Sequence, residues 1–444
     1  MQRGEDDPPG AGRSSPAGES MAGPRPGPAG PDGAPTRSPG RPQSGKRRRR
    51  RKRRSVFAAV APRQQASAHA PKRPPNLGEQ APAAPAAESR ASSPTVGTPI
   101  EASFYGALDL GTNNCRLLIA APRGRGFRVV DAFSRIVRLG EGVGATGRLS
   151  EAAMTRAIAA LKNCRDKLVQ RGVVRSRLIA TEACRAADNG ADFLGRVEAE
   201  TGLALEIVSR ETEARLAVAG CASLIDPSAE GAILFDIGGG STEVVWIDLT
   251  PAPGAPRRRT AERIRSWSSL PVGVVSLADR YGGEDVSTEK YEAMVGEVLA
   301  LIEAFPQKEE LGAAVAAGGI HMLGTSGTVT TLAGMHLGLP RYDRRQVDGV
   351  WMRDEDVRLM IGRLLCASYV DRVAHPCIGR ERADLVLGGC AILDAILRRW
   401  PCQRLRVADR GLREGMLIEL MAEDGVWHRR SDRASNPNGG ERHG

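Results

Sequence analysis

The chain has 444 residues and a formal net charge of +11, with 41% hydrophobic and 4% aromatic side chains. Residues 1–100 hold 18 Lys/Arg against 7 Asp/Glu and 18 of the 29 prolines, while the remainder holds 45 residues of each sign. The basic excess is confined to the first hundred residues, so overall charge gives no reason to read the body as a nucleic-acid binder.

Residues 1–100 carry too few large apolar side chains to bury a core and are expected to be a disordered Pro/Gly/Arg-rich extension. Within them Lys46–Arg54 is a run of nine cations. Such a run suits polyanion docking, for RNA, DNA or polyphosphate, and is equally compatible with a solvated extension. No stretch approaches the roughly 18 apolar residues of a membrane span, and the N-terminus lacks the apolar core of a secretory signal. The 8 cysteines lie in the body without CxxC or zinc-type spacing and read as buried thiols of a reducing compartment. A cytoplasmic location is expected.

From Phe104 the texture changes. Tyr105–Leu110 and Cys115–Ala121 are apolar runs joined by Gly111-Thr112-Asn113-Asn114, which predicts strand, tight turn, strand. Pro122–Gly126 is a second turn, and a third strand follows near Phe127–Phe133. A helix begins at about Ser150, with Met154, Ile158, Leu161, Cys164 and Leu168 on one face. Strand Arg177–Ala180, helix Asp188–Thr201 and strand Ala204–Val208 come next. Three strands followed by alternating helix and strand describe an α/β layer with a meander at one edge.

The pattern then restarts. Gly231–Asp236 is apolar, Gly238-Gly239-Gly240-Ser241-Thr242 breaks it, and Val244–Leu249 resumes it. Placing Asp109 on Asp236 also places Gly111 on Gly238, so the chemistry of one unit repeats. Two α/β domains facing each other are expected, over 101–230 and 231–428, with a frayed tail over 429–444. The last helix is free to pack back on the first domain.

Glycine-rich hairpin turns with hydroxyls offer N–H groups to phosphate. An Asp before each turn would repel phosphate unless a divalent cation lies between them, and Mg²⁺ accepts one or two carboxylates beside phosphate oxygens. A duplicated structural hairpin would use the same turn residues but would not require the aspartates. Gly324-Thr325-Ser326-Gly327-Thr328, before a helical pattern from Val329, is a third phosphate-loop candidate. Glu243 follows the second turn, and Glu211 and Glu213 open the helix before it. No Walker A lysine, serine nucleophile elbow or HExxH is present, and the six histidines do not cluster.

The segments ALDLGTNNCRLLIA, IATEACRAADNGADFL, LEIVSRETEARLAVAG, ILFDIGGGSTEVVWI, LGTSGTVTTLAG and RADLVLGGCAILDAI resemble, in this order, the exopolyphosphatase / guanosine pentaphosphate phosphohydrolase family. That family belongs to the actin, sugar-kinase and heat-shock-chaperone ATPase superfamily, and the resemblance covers roughly 104–425. It implies two ribonuclease H-like domains with an active site in the cleft. Gly111, Thr112, Asn113, Arg116 and Arg185 would bind phosphate, as would Gly238, Gly239, Gly240, Ser241 and Thr242, with Ser326, Gly327 and Thr328 flanking the cleft. Asp109, Asp236 and Glu243 would hold Mg²⁺ or Mn²⁺. The helix start reads SRETEA, where the family usually has Gly after Ser and paired acids before Ala, so Glu211 and Glu213 both qualify as general base. Glu213 is chosen because it directly precedes the alanine. The late LVLGGC lacks a proline often seen there. The extra C-terminal helical domains of long members are missing, so a short two-domain form is expected, as is a homodimer.

The function expected is removal of a terminal phosphate from polyphosphate or guanosine pentaphosphate. The alternatives are an ATP- or polyphosphate-dependent phosphotransferase and a polyanion-binding protein that uses the basic arm.

Overall fold

The structure, a computed structural model, describes residues 103–250 and 259–427. The extension expected over 1–100, the docking run Lys46–Arg54 and the tail expected over 429–444 therefore lie outside the described residues.

Eleven strands among the described residues form two sheets. The first has the order β3-β2-β1-β4-β5, with β1 Phe104–Leu110, β2 Asn114–Arg123, β3 Gly126–Ile136, β4 Val173–Ala180 and β5 Glu206–Ile207. The second has the order β10-β11-β9-β6-β7-β8, with β6 Gly231–Ile237, β7 Thr242–Asp248, β8 Ile264–Leu270, β9 Ile320–Thr325, β10 Trp351–Arg353 and β11 Arg404–Ala408. Each sheet opens with an antiparallel three-strand meander and continues with two parallel strands, and the second adds β10 at its edge. The repeat read from two turns thus extends to strand order and direction.

The local signals account for these elements. Ser150 caps helix Glu151–Gln170 by accepting from Ala153 N, and the predicted stripe from Met154 to Leu168 is buried against β1 and β2. The next helix starts at Gly190 rather than Asp188, because the Asn189 side chain exchanges two hydrogen bonds with the Leu149 backbone. A short helix, Glu182–Ala186, was not anticipated. The strand expected over 204–208 shrinks to Glu206–Ile207, since Ser209 already caps helix Arg210–Cys221 through Thr212 N. Seven cysteines are buried as free thiols, but Cys366, the last residue of helix Asp354–Cys366, is exposed.

Two helices lie between the sheets. Helix Arg210–Cys221 gives Ala214, Ala217, Val218 and Cys221 to the second sheet and Leu216 to the first. Helix Leu412–Glu423 returns to the first sheet, burying Met416, Leu417 and Leu420 with Tyr105, Ala107 and Leu118. The two helices approach at backbone distance. A Cβ on Gly220 would overlap the Gly411 carbonyl, and one on Gly415 would overlap that of Leu216. No helix among the described residues is long and apolar enough to cross a membrane.

His321, fully buried on β9, accepts from Asp226 N through Nε2 (3.2 Å) and pairs Nδ1 with Met322 O (3.0 Å). Only the neutral ring can do both, and burial lowers its pKa, against the smaller pull of Met322 and Asp226. The unfolded imidazole binds a proton below about pH 6.5 while the folded one resists. The unfolded state then holds more protons, so this contribution to stability falls as pH drops, by at most about 1.4 kcal/mol per unit. The difference in unfolding free energy between neutral and mildly acidic buffer should shrink in His321→Gln, measured by denaturant titration. An unchanged difference would contradict this assignment.

Candidate active site

Both repeated turns close in the same way. Gly111 N donates to Asn114 O and Gly238 N to Ser241 O, each at 2.9 Å. In register, Asp109 faces Arg116 across the first hairpin and Asp236 faces Glu243 across the second. The duplicated position thus carries a cation in one half and an anion in the other.

The two turns pack against each other. A Cβ on Gly239 would stand 2.9 Å from the Thr112 Cβ and 3.1 Å from Asn113 N, and one on Gly240 would stand 2.8 Å from Thr112 Oγ1. Here glycine is required for turn-to-turn contact, whatever it does for a ligand. Between and around the turns is a cavity of about 610 Å³. Every predicted site residue lines it except Arg185 and Thr242. The Thr242 side chain is buried and donates to Val272 O (2.7 Å).

Arg185 sits one layer behind the wall. Its guanidinium bonds Glu182 Oε2 (2.7 and 2.9 Å), the Val208 carbonyl (2.6 Å) and Glu213 Oε2 (3.0 Å). It fixes the orientation of Glu213, whose Oε1 makes no hydrogen bond to the described residues. Glu211 points outward, exposed, and does not line the cavity. The third turn is strained. Ser326 has φ 121, unusual for a side-chain-bearing residue, and its buried Oγ has no partner. Asn113 Oδ1 is likewise buried without a partner. Both are groups that a ligand could satisfy.

The carboxylates crowd one another. Burial raises the pKa of Asp109, against Arg116 and Arg413. Asp236 rises to about 6, through burial and then, opposed by Arg116, the charge of Asp109. Glu243 rises to about 7 through burial and the Asp236 charge, although Ser241 and Ser269 donate to its Oε1 at 2.9 and 2.8 Å. Burial and the Glu243 charge push Glu213 well above the ordinary range, and Arg185 only partly offsets them.

Sequence reasoning missed several lining residues. Glu182, 8% exposed, belongs to the quoted TEACRAA segment and accepts from Arg185 and Arg210. Arg382 opens the quoted RADLVLGGC segment and stands 3.3 Å from where a Gly327 Cβ would be. Tyr342, Arg344, Arg413 and Glu414 belong to none of the segments that carry the resemblance. Tyr342 donates to Asp409 (2.6 Å), and Arg344 to Glu414 (2.7 Å).

Fold and cavity together define an α/β protein of two matched sheets whose paired Asp-x-Gly turns share one pocket. The chain belongs to the Ppx/GppA phosphatase family, whose model matches residues 118–424. It is 28% identical over 333 residues to exopolyphosphatase 2 of Mycobacterium tuberculosis, covering 71% of this chain and 97% of that one. It is 26% identical to the guanosine-5'-triphosphate,3'-diphosphate pyrophosphatase of Aeromonas hydrophila, covering 72% of this chain but 60% of that longer protein. The crystal structure of the Aquifex aeolicus family member superposes with a TM-score of 0.58 at 27% identity, over 72% of this chain and 98% of that one.

The turn-to-turn contact is directly testable. Gly239→Ala should cost about 1–3 kcal/mol of stability, because the methyl meets the Asn113 backbone as well as a movable side chain. Thermal unfolding of Gly239→Ala against wild type checks this, and an unchanged Tm would show that the turns do not bear on each other.

Proposed function

We propose that this chain hydrolyses the terminal phosphoanhydride bond of a polyphosphate chain or of guanosine pentaphosphate. The observation that carries the reading is the convergence of three small polar turns and Glu213 on one cavity. The relatives named exopolyphosphatase and guanosine pentaphosphate pyrophosphatase support both substrate classes. We read the two matched sheets as ribonuclease H-like domains facing across a cleft, and the helix Leu412–Glu423 as the element that ties the second back to the first.

In this mechanism the N–H groups and hydroxyls of Gly111–Asn113, Gly238–Ser241 and Ser326–Thr328 hold successive phosphates, while Arg116 and Arg382 neutralise them. Glu213 orients a water with its free oxygen and accepts the proton, since a carboxylate of raised pKa is the stronger base. Arg185 keeps Glu213 in position and limits the rise. Hydrolysis of this kind demands mainly positioning and charge neutralisation, which these groups supply.

The acidic set suits a hard divalent cation. Among the described residues no three His, Cys, Asp or Glu side chains converge tightly enough to chelate an ion unaided. Mg²⁺ does not require that, because it completes its shell with waters and phosphate oxygens. The mutual repulsion within Asp109, Asp236 and Glu243 is what such a cation would relieve. These residues would hold Mg²⁺ or Mn²⁺, and the bound ion would polarise the phosphate and stabilise the leaving group.

Glu213→Gln should lower phosphate release from polyphosphate or guanosine pentaphosphate by about 10²–10⁴ while substrate still binds. Glu211→Gln should stay near the wild-type rate. An active Glu213→Gln enzyme would remove the base from this mechanism, and formation of ATP from added ADP and polyphosphate would mark phosphotransfer instead. Excess EDTA should abolish release, with recovery on adding Mg²⁺ or Mn²⁺. Full activity in EDTA would exclude the divalent cation.

A further inference from the structure

Arg413 is a cation that the hydrolytic mechanism leaves unassigned. It is the second residue of helix Leu412–Glu423 and lines the cavity, and its side chain makes no hydrogen bond or ion pair with the described residues. The charges that act on it are Glu414, Arg116, Asp109 and Arg344. Glu414 is already engaged, accepting from Arg344 (2.7 Å) and from Gly411 N (2.9 Å). Asp109 also lies under the influence of Arg116, whose side chain likewise makes no hydrogen bond or ion pair with the described residues. Burial, followed by the repulsion of Arg116, lowers the Arg413 pKa despite the pull of Glu414.

Two neighbouring guanidinium groups without partners in a largely buried pocket are costly to keep. A phosphoryl group between them removes that cost, because its oxygens accept from both planar forks. We propose that Arg413 is a substrate ligand that shares with Arg116 a single phosphoryl group of the bound chain. The inference rests on the phosphoanhydride reading and adds a second cationic contact to it. Arg382 is separate, standing against Gly327. The competing role for Arg413 is structural, as fixed neutralisation of Asp109 and Asp236, both of which feel its charge.

The two roles predict opposite effects on the ligand-free protein. A structural cation would lower Tm when removed, whereas an unsatisfied one would leave Tm unchanged or raised. The test uses full-length Arg413→Gln, Arg413→Lys, Arg116→Gln and the Arg116→Gln/Arg413→Gln pair, with inorganic tripolyphosphate as probe. Expected are a ligand-free Tm no lower than wild type for Arg413→Gln, and a KM raised about 10- to 100-fold, as befits a lost charge-assisted contact. Arg413→Lys should recover only part of the affinity, because a point charge cannot grip two oxygens. The double variant should lose less than the product of the single losses, as expected for residues that share one group. An unchanged KM, a KM rise matched by a fall in ligand-free Tm, or fully multiplicative losses would each overturn the proposal. Wild-type protein that neither gains Tm with tripolyphosphate nor releases phosphate from any chain would instead sink the hydrolase reading and this proposal with it.

Discussion

The site depends on the contact between two glycine turns. Gly239 and Gly240 let the second hairpin sit directly on Thr112 and Asn113 of the first. That approach brings Asp109 and Asp236 into one low-dielectric cavity, where each raises the energy of the other's charged form. Much of the surrounding hydrogen bonding answers this crowding. Ser241 and Ser269 donate to Glu243, and Arg185 donates to Glu213 and Glu182.

The duplicated hairpins are alike in backbone and opposite in charge. Arg116 and Glu243 occupy equivalent register positions beside equivalent aspartates. A symmetric pair of acids would only repel phosphate, and a symmetric pair of arginines would give no place for a divalent cation. The change of sign at one repeated position puts a basic and an acidic side chain on the wall of the same cavity.

Stability and chemistry meet in the two helices between the sheets. Helix Arg210–Cys221 carries Glu213, and helix Leu412–Glu423 carries Arg413. Their glycine-mediated approach at Gly220, Gly411 and Gly415 fills the space between the halves with backbone rather than side chains. Glu213 and Arg413, which face the cavity, are therefore held by the same packing that joins the second sheet to the first.

The sequence by itself determined what short-range physics controls. The Asp-x-Gly hairpins, the Ser150 and Ser209 caps, the buried stripe from Met154 to Leu168 and the repeat were all legible, because each is set by neighbours a few residues apart. The tertiary structure decided the rest. Glu211 and Glu213 are chemically alike, but two residues on a helix turn the side chain by about 200°, and only packing shows which one meets the cavity. Arg185 and Thr242 look like turn and loop ligands in sequence, yet contacts with Glu213 and with Val272 O take them out of the lining. Arg382 opens a segment that carries the resemblance and Arg413 stands between two glycines, but neither setting tells whether the charge is paired, since an arginine reads as surface until the partners around it are counted. Whether a charge is paired or waiting for a ligand depends on groups far away in the chain, and that is information only the folded arrangement contains.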